Sequence, residues 1–166
     1  MAQYDLISDG FHVVNGIVAK ADAFATSGVT DRINLANYRR CTFLIHTGNA
    51  TAGTANGTVT LNAFAAASGG SGTALTFKYR VSASSTTVDT WGALTDATTS
   101  GFSMTAADNY MYLVTITADD LVGQIDGKPF VELTVTEVTN DPIDASVAVI
   151  LDGARYGAQV PVTAIA

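Results

Sequence analysis

Two histidines, a single cysteine and one short acidic run are the residues of this 166-residue chain with the most usable chemistry. A hydrolytic nucleophile needs a base held beside it, and neither His12 nor His46 stands in a nucleophile motif. His46 closes the alternating run Arg40-Cys-Thr-Phe-Leu-Ile-His46 on the side opposite Cys41, Phe43 and Ile45, so it reads as a surface or rim histidine. Cys41 falls in mid-strand on the apolar side, where a thiol packs as a small hydrophobe. Being alone, it supplies neither a disulfide nor a cysteine metal site. Asp119, Asp120 and Asp126 share one loop and raise a calcium question. Their spacing lacks the acidic residue at every second position and the Glu at the twelfth that an EF-hand uses, so a solvated turn is expected. Gly69-Gly-Ser-Gly72 is followed by no Lys-Ser/Thr and opens no helix, which excludes a phosphate cradle and leaves a flexible loop. Apart from Asp119-Asp120, acidic residues fall singly, without the carboxylate pair of a glycosidase. Trp91, Tyr79, Tyr110 and Tyr112 are the one set suited to a ligand class, as a stacking platform for a sugar, although aromatics at strand positions more often pack against the sheet. The expectation is no enzyme, with no catalytic residue, no cofactor and no metal ligand.

The elements that would position these residues are strands. Tyr110 to Thr117 and Phe130 to Val138 are rich in β-branched and aromatic residues. Val131, Leu133 and Val135 alternate with Glu132, Thr134 and Thr136, which predicts a sheet with one wet side and one core side. Between the two runs, 118–129 is expected as a polar connection. Candidate strands lie near 30–35, 39–46, 58–64, 75–81, 95–103, 111–117, 130–137 and 146–151. Phe77 and Tyr79 are placed inside and Lys78 outside. Asn15-Gly16 predicts a tight turn, 105–108 one helical turn, and Asn140-Asp-Pro another turn. With no helix-period segment between strands, the fold class is all-β: an antiparallel β-sandwich, jelly-roll-like with about eight strands, or failing that an immunoglobulin-like sandwich. Residues 1–28 read as an N-terminal arm, in which Phe11-His-Val-Val14 and Gly16-Ile-Val-Ala19 could form a short strand or bent ribbon broken at Asn15-Gly16, 29–152 as the sandwich domain and 153–166 as a C-terminal arm.

Composition narrows the partners. The net charge is −7 and only 14% of residues are charged, with eight basic residues scattered along the chain. Nucleic acid and anionic membranes both require clustered Lys and Arg, so neither is expected as a direct partner. No apolar run reaches the roughly 20 residues of a membrane-spanning helix. The first residues show no basic or apolar leader, which predicts a product of the cytoplasm. Asn49-Ala-Thr51 and Asn56-Gly-Thr58 then count as chance matches to the glycosylation pattern.

Ile33-Asn-Leu-Ala-Asn-Tyr-Arg-Arg-Cys-Thr-Phe-Leu-Ile45, Leu75-Thr-Phe-Lys-Tyr-Arg80 and Trp91, in a short, acidic chain rich in Ala, Thr and Gly, carry a resemblance. Over about residues 28–152 the chain resembles the head decoration (cement, or capsid-stabilising) proteins of tailed bacteriophages. The resemblance implies a virion structural protein on the capsid surface. Such a protein binds the major capsid protein and other copies of itself, as a trimer or dimer, with no cofactor and no active site. A lattice makes weak individual contacts sufficient, because later contacts form at high effective concentration. A carbohydrate-binding sandwich module and a head-fibre or tail component are the alternatives. The second would need fibrous repeats that this chain lacks.

Overall fold

The computed structural model describes residues 10–50, 57–83, 89–105, 109–138, 142–155 and 165. The strands are β1 (Phe11–Lys20), β2 (Ser27–Val29), β3 (Ile33–Asn34), β4 (Arg40–Ala50), β5 (Thr58–Phe64), β6 (Thr73–Ala74), β7 (Phe77–Val81), β8 (Thr95–Ala97), β9 (Phe102–Ser103), β10 (Met111–Thr117), β11 (Phe130–Thr136) and β12 (Ile143–Asp152), with helix α1 at Ala118–Gln124. Sheet I runs β1-β12-β4-β10-β7-β8 and sheet II runs β2-β11-β5-β6, with β3 also on β11 and β9 also on β5. The pairs β1–β12, β2–β11, β4–β10 and β5–β6 nest inside one another along the chain and are all antiparallel. One long ribbon of paired strands, wound around a sandwich, produces this nesting. It is the strand order of a jelly roll, extended at one side by β7 and β8.

The expected fold class is thus found, although the strands that make it differ in part from those expected. The segment 11–20, assigned to an arm, is the first strand of the ribbon. Asn15-Gly16 is no turn: the register with β12 shifts there, as in a β-bulge. A Cβ on Gly16 would stand 3.0 Å from Val149 Cγ2 and 3.1 Å from Val147 O, so glycine is what lets the bulged strand lie this close. The strand expected over 95–103 is two strands, β8 in sheet I and β9 in sheet II. Between them Gly101 has φ +77°, and a Cβ there would lie 1.9 Å from Val59 O, which no side chain survives. The polar connection expected over 118–129 contains α1. Its N-cap is Thr117, whose Oγ1 accepts from Asp120 N at 3.0 Å while donating to Asp120 Oδ2 at 2.7 Å. Leu121 and Ala118 bury the helix against the sandwich.

Alternation places the core. Cys41, Phe43, Ile45, Tyr112, Val114, Ile116, Val147, Val149 and Leu151 from sheet I meet Val59, Leu61, Ala63, Val131, Leu133 and Val135 from sheet II, each at most 1% exposed. Phe77 is buried, Tyr79 half-buried and Lys78 exposed, as expected. Three buried hydroxyls extend the ladders past the strand ends. Thr30 Oγ1 accepts from Leu133 N, Ser82 Oγ accepts from Met111 N, and Thr47 Oγ1 both accepts from Tyr110 N and donates to Tyr110 O. The tail beyond β12 touches its own domain at the described points. Arg39 N donates to Gly153 O, Arg155 N donates to Asn37 O, and Ile165 bridges Ile33. The helical turn expected at 105–108, the turn at 140–142, Asn56, and most of both arm ends lie wholly or partly outside the described residues.

Candidate functional site

The residues singled out for chemistry are not brought together. His12 faces the inner side at the rim, its ring stacked on Tyr38 with centroids 5.9 Å apart. Cys41 shares that side, but Leu151 stands between the two in the register. The thiol is fully buried, and burial first, then Asp152, pushes its pKa well above the ordinary value, so it packs as a neutral thiol. His46 is exposed on the opposite side of the sheet, between Ser146 and Met111. Asp119 and Asp120 belong to the first turn of α1, where carboxylates suit the helix N-terminus, and Asp126 Oδ1 accepts from Gly127 N in the turn beyond. Among the described residues, no three His, Cys, Asp or Glu side chains are grouped to hold a metal ion.

The aromatic platform also dissolves. Tyr79 stacks face to face on Phe102 at 3.9 Å, and Phe102 in turn meets Phe77 and Tyr112. Tyr112 is fully buried, its hydroxyl accepting from Thr105 N at 2.9 Å, and burial raises its pKa. Tyr110 lies against Tyr112, and Trp91 bridges Ser82 as a half-buried residue. Tyr79, Tyr110 and Tyr112 thus pack against other rings of the sandwich. A cavity of about 400 Å³ opens between α1 and the β7–β8 edge. Its polar groups are mutually engaged: Lys78 Nζ meets Asp96 Oδ1 at 2.5 Å, and the Gln124 amide exchanges hydrogen bonds with the Thr76 backbone and hydroxyl. The Asp96 hydrogen bond raises the Lys78 pKa.

The outer side of sheet I is different. Residues paired across a ladder point the same way. Two rows can therefore be read across the sheet: Val13, Ile150, Thr42, Thr115, Lys78, and Asn15, Ala148, Leu44, Leu113, Arg80. Leu44, Leu113, Ile150, Ala148 and, one row on, Met111 are all half-buried on this side, while Val13 is 57% exposed. The Arg40–Asp152 pair at 2.6 Å and the Lys78–Asp96 pair frame the apolar centre. The sequence carried the signal for this face. Met111 to Val114 and Val147 to Leu151 are apolar on both sides, the pattern of strands covered on both faces. The expectation of one wet side holds for sheet II and is corrected for sheet I.

No family model, curated protein or solved structure matches this chain.

Proposed function

We propose that this protein is a virion structural protein that decorates and stabilises a capsid shell, binding the major capsid protein and further copies of itself. The observation that carries the reading is the half-covered apolar centre of sheet I's outer face, ringed by ion pairs and a histidine. A sheet face with a half-buried apolar centre suits another protein surface. A small ligand would call for a deep, preformed pocket. The jelly roll supports the reading only as a fold that shells use, since the same fold serves lectins. The sugar-binding alternative loses its platform to the packing of Tyr79 and Tyr112. Mixing purified protein with capsid shells that lack it, then sedimenting the shells, tests the proposal. Wild type is expected to co-sediment at a fixed ratio to the major capsid protein. Leu113→Glu, which places a charge at the centre of the face, is expected to stay in the supernatant while remaining folded. Failure of wild type to co-sediment overturns the capsid role, and equal retention of the variant removes this face from it.

A further inference from the structure

A sheet edge left open is a template for another strand, and folded proteins blunt their edges with shortness, charge, proline or bulges. Among the described residues the sandwich has four sheet edges. Three are blunt: β8 and β2 have three residues each and β6 has two. The fourth, β1, has ten residues, and among the described residues no strand pairs with its outer side. Its two register shifts follow Asn15, so Phe11 to Asn15 runs in unbroken register with β12 from Asp152 to Ala148. That half contains no proline and no charged residue, and the one charge in β1, Lys20, lies beyond the bulges.

We propose that two copies of the chain join antiparallel through Phe11 to Asn15 of β1, about a two-fold axis at Val13. Antiparallel pairing makes a strand its own complement, so one surface serves both partners. Val13 then faces Val13 of the second copy on the outer side, with Phe11 opposite Asn15. The two six-stranded sheets become one continuous sheet, and the Ile150, Ala148 and Leu44 band of each copy runs on into the other. Charge favours this place for self-contact. The chain carries −7 overall, and the uncharged half of β1 is where two acidic copies meet with little repulsion. Five residues span only about 17 Å, well short of the roughly 800 Å² per partner of a stable interface. The dimer is therefore weak in solution and effective where a lattice holds many copies.

This inference rests on the self-association in the proposed function, and the test separates the two. Sedimentation of the full chain from about 1 μM to about 1 mM should show a concentration-dependent dimer. Val13→Lys, at an exposed position, should leave the melting temperature unchanged and raise the dimer dissociation constant about 30-fold or more, because two ammonium groups then face each other across the axis. An equimolar mixture of Val13→Lys and Val13→Glu should associate again as a mixed dimer. Should Val13→Lys not fold, hydrogen exchange of wild type decides: amides within 11–15 gain protection with concentration, and no such gain overturns the proposal. A wild-type oligomer untouched by a folded Val13→Lys moves the interface elsewhere and leaves self-association standing. A wild type that stays monomeric throughout removes both.

Discussion

The outer faces of the two sheets share ladder geometry and differ in chemistry at their centres. On sheet II, Thr60 opposes Thr134, Thr58 opposes Thr136 and Asn62 opposes Glu132, so the strands present hydroxyls, an amide and a carboxylate. Two rings oppose each other on that face, Phe64 and Phe130, and Phe64 is covered by the chain itself. The Arg32 guanidinium lies 3.6 Å from its centroid, pairs with Glu132, and donates to Ala66 O and Gly69 O. Lys128 Nζ adds bonds to Ser71 O and Thr73 Oγ1. The glycine-rich loop expected to be flexible is therefore tied down over sheet II. Sheet I has no such strap among the described residues: Leu44, Leu113 and Ile150 remain half-buried. One face is strapped in part by its own chain, and the other, among the described residues, is not.

If that contrast is real, the two sides of β4 answer very differently to truncation. Phe43→Ala, on the inner side, should cost about 3–5 kcal/mol in a urea melt. Leu44→Ala, next door on the outer side, should cost about 1 kcal/mol or less. Similar losses would mean that the outer side is already core. On sheet II, Arg32→Ala removes the cation–π contact and both carbonyl bonds, and should cost about 2 kcal/mol. It should also open 65–72 to proteolysis without affecting shell binding. The inner side of sheet I has a pH signature as well. The folded state keeps the Cys41 proton that the unfolded chain releases near 9.0. Its contribution is therefore whole below that pH and is lost as pH rises toward the higher folded value, at up to about 1.4 kcal/mol per pH unit. Guanidinium melts between neutral and alkaline pH should show this slope, and Cys41→Ala should flatten it. The smallest stability effects belong to Leu113→Glu and Thr134→Glu, each about 1 kcal/mol or less. Only the first is expected to abolish partner binding, and loss in both would erase the distinction between the faces.

Local pattern made much of the sandwich legible. Strands β5, β7 and β11 follow a period of two that needs no knowledge of partners, and β12 shows as a short apolar run. What escaped is what partners decide. β1 lies where Asn15-Gly16 mimics a turn, and it is held as a strand by Val147 to Asp152 at the far end of the chain. β8 and β9 look like one strand until Gly101 sends the chain from one sheet to the other. Thr117 with Asp120 was readable as a helix cap, but the seven residues of α1 are too few to show a helical period. The apolar outer face is written in Met111 to Val114, where both sides of the strand are apolar, unlike the alternating β11.

The nested pairing of the ribbon also sets an order of events. β12 is the strand between β1 and β4 at the middle of sheet I's apolar half, and it follows every other described strand along the chain. Until it arrives, β1 has no neighbour in the sheet and β4 has one side bare. The native contacts that close the sheet join the first and the last of the described strands, so loop-closure entropy must be met late and folding falls in the slow, millisecond-to-second class of non-local β proteins. The growing chain is thus most exposed to wrong strand partners just before β12 is made, and a ribosome-stalled chain ending before Ile143 should be the form that aggregates.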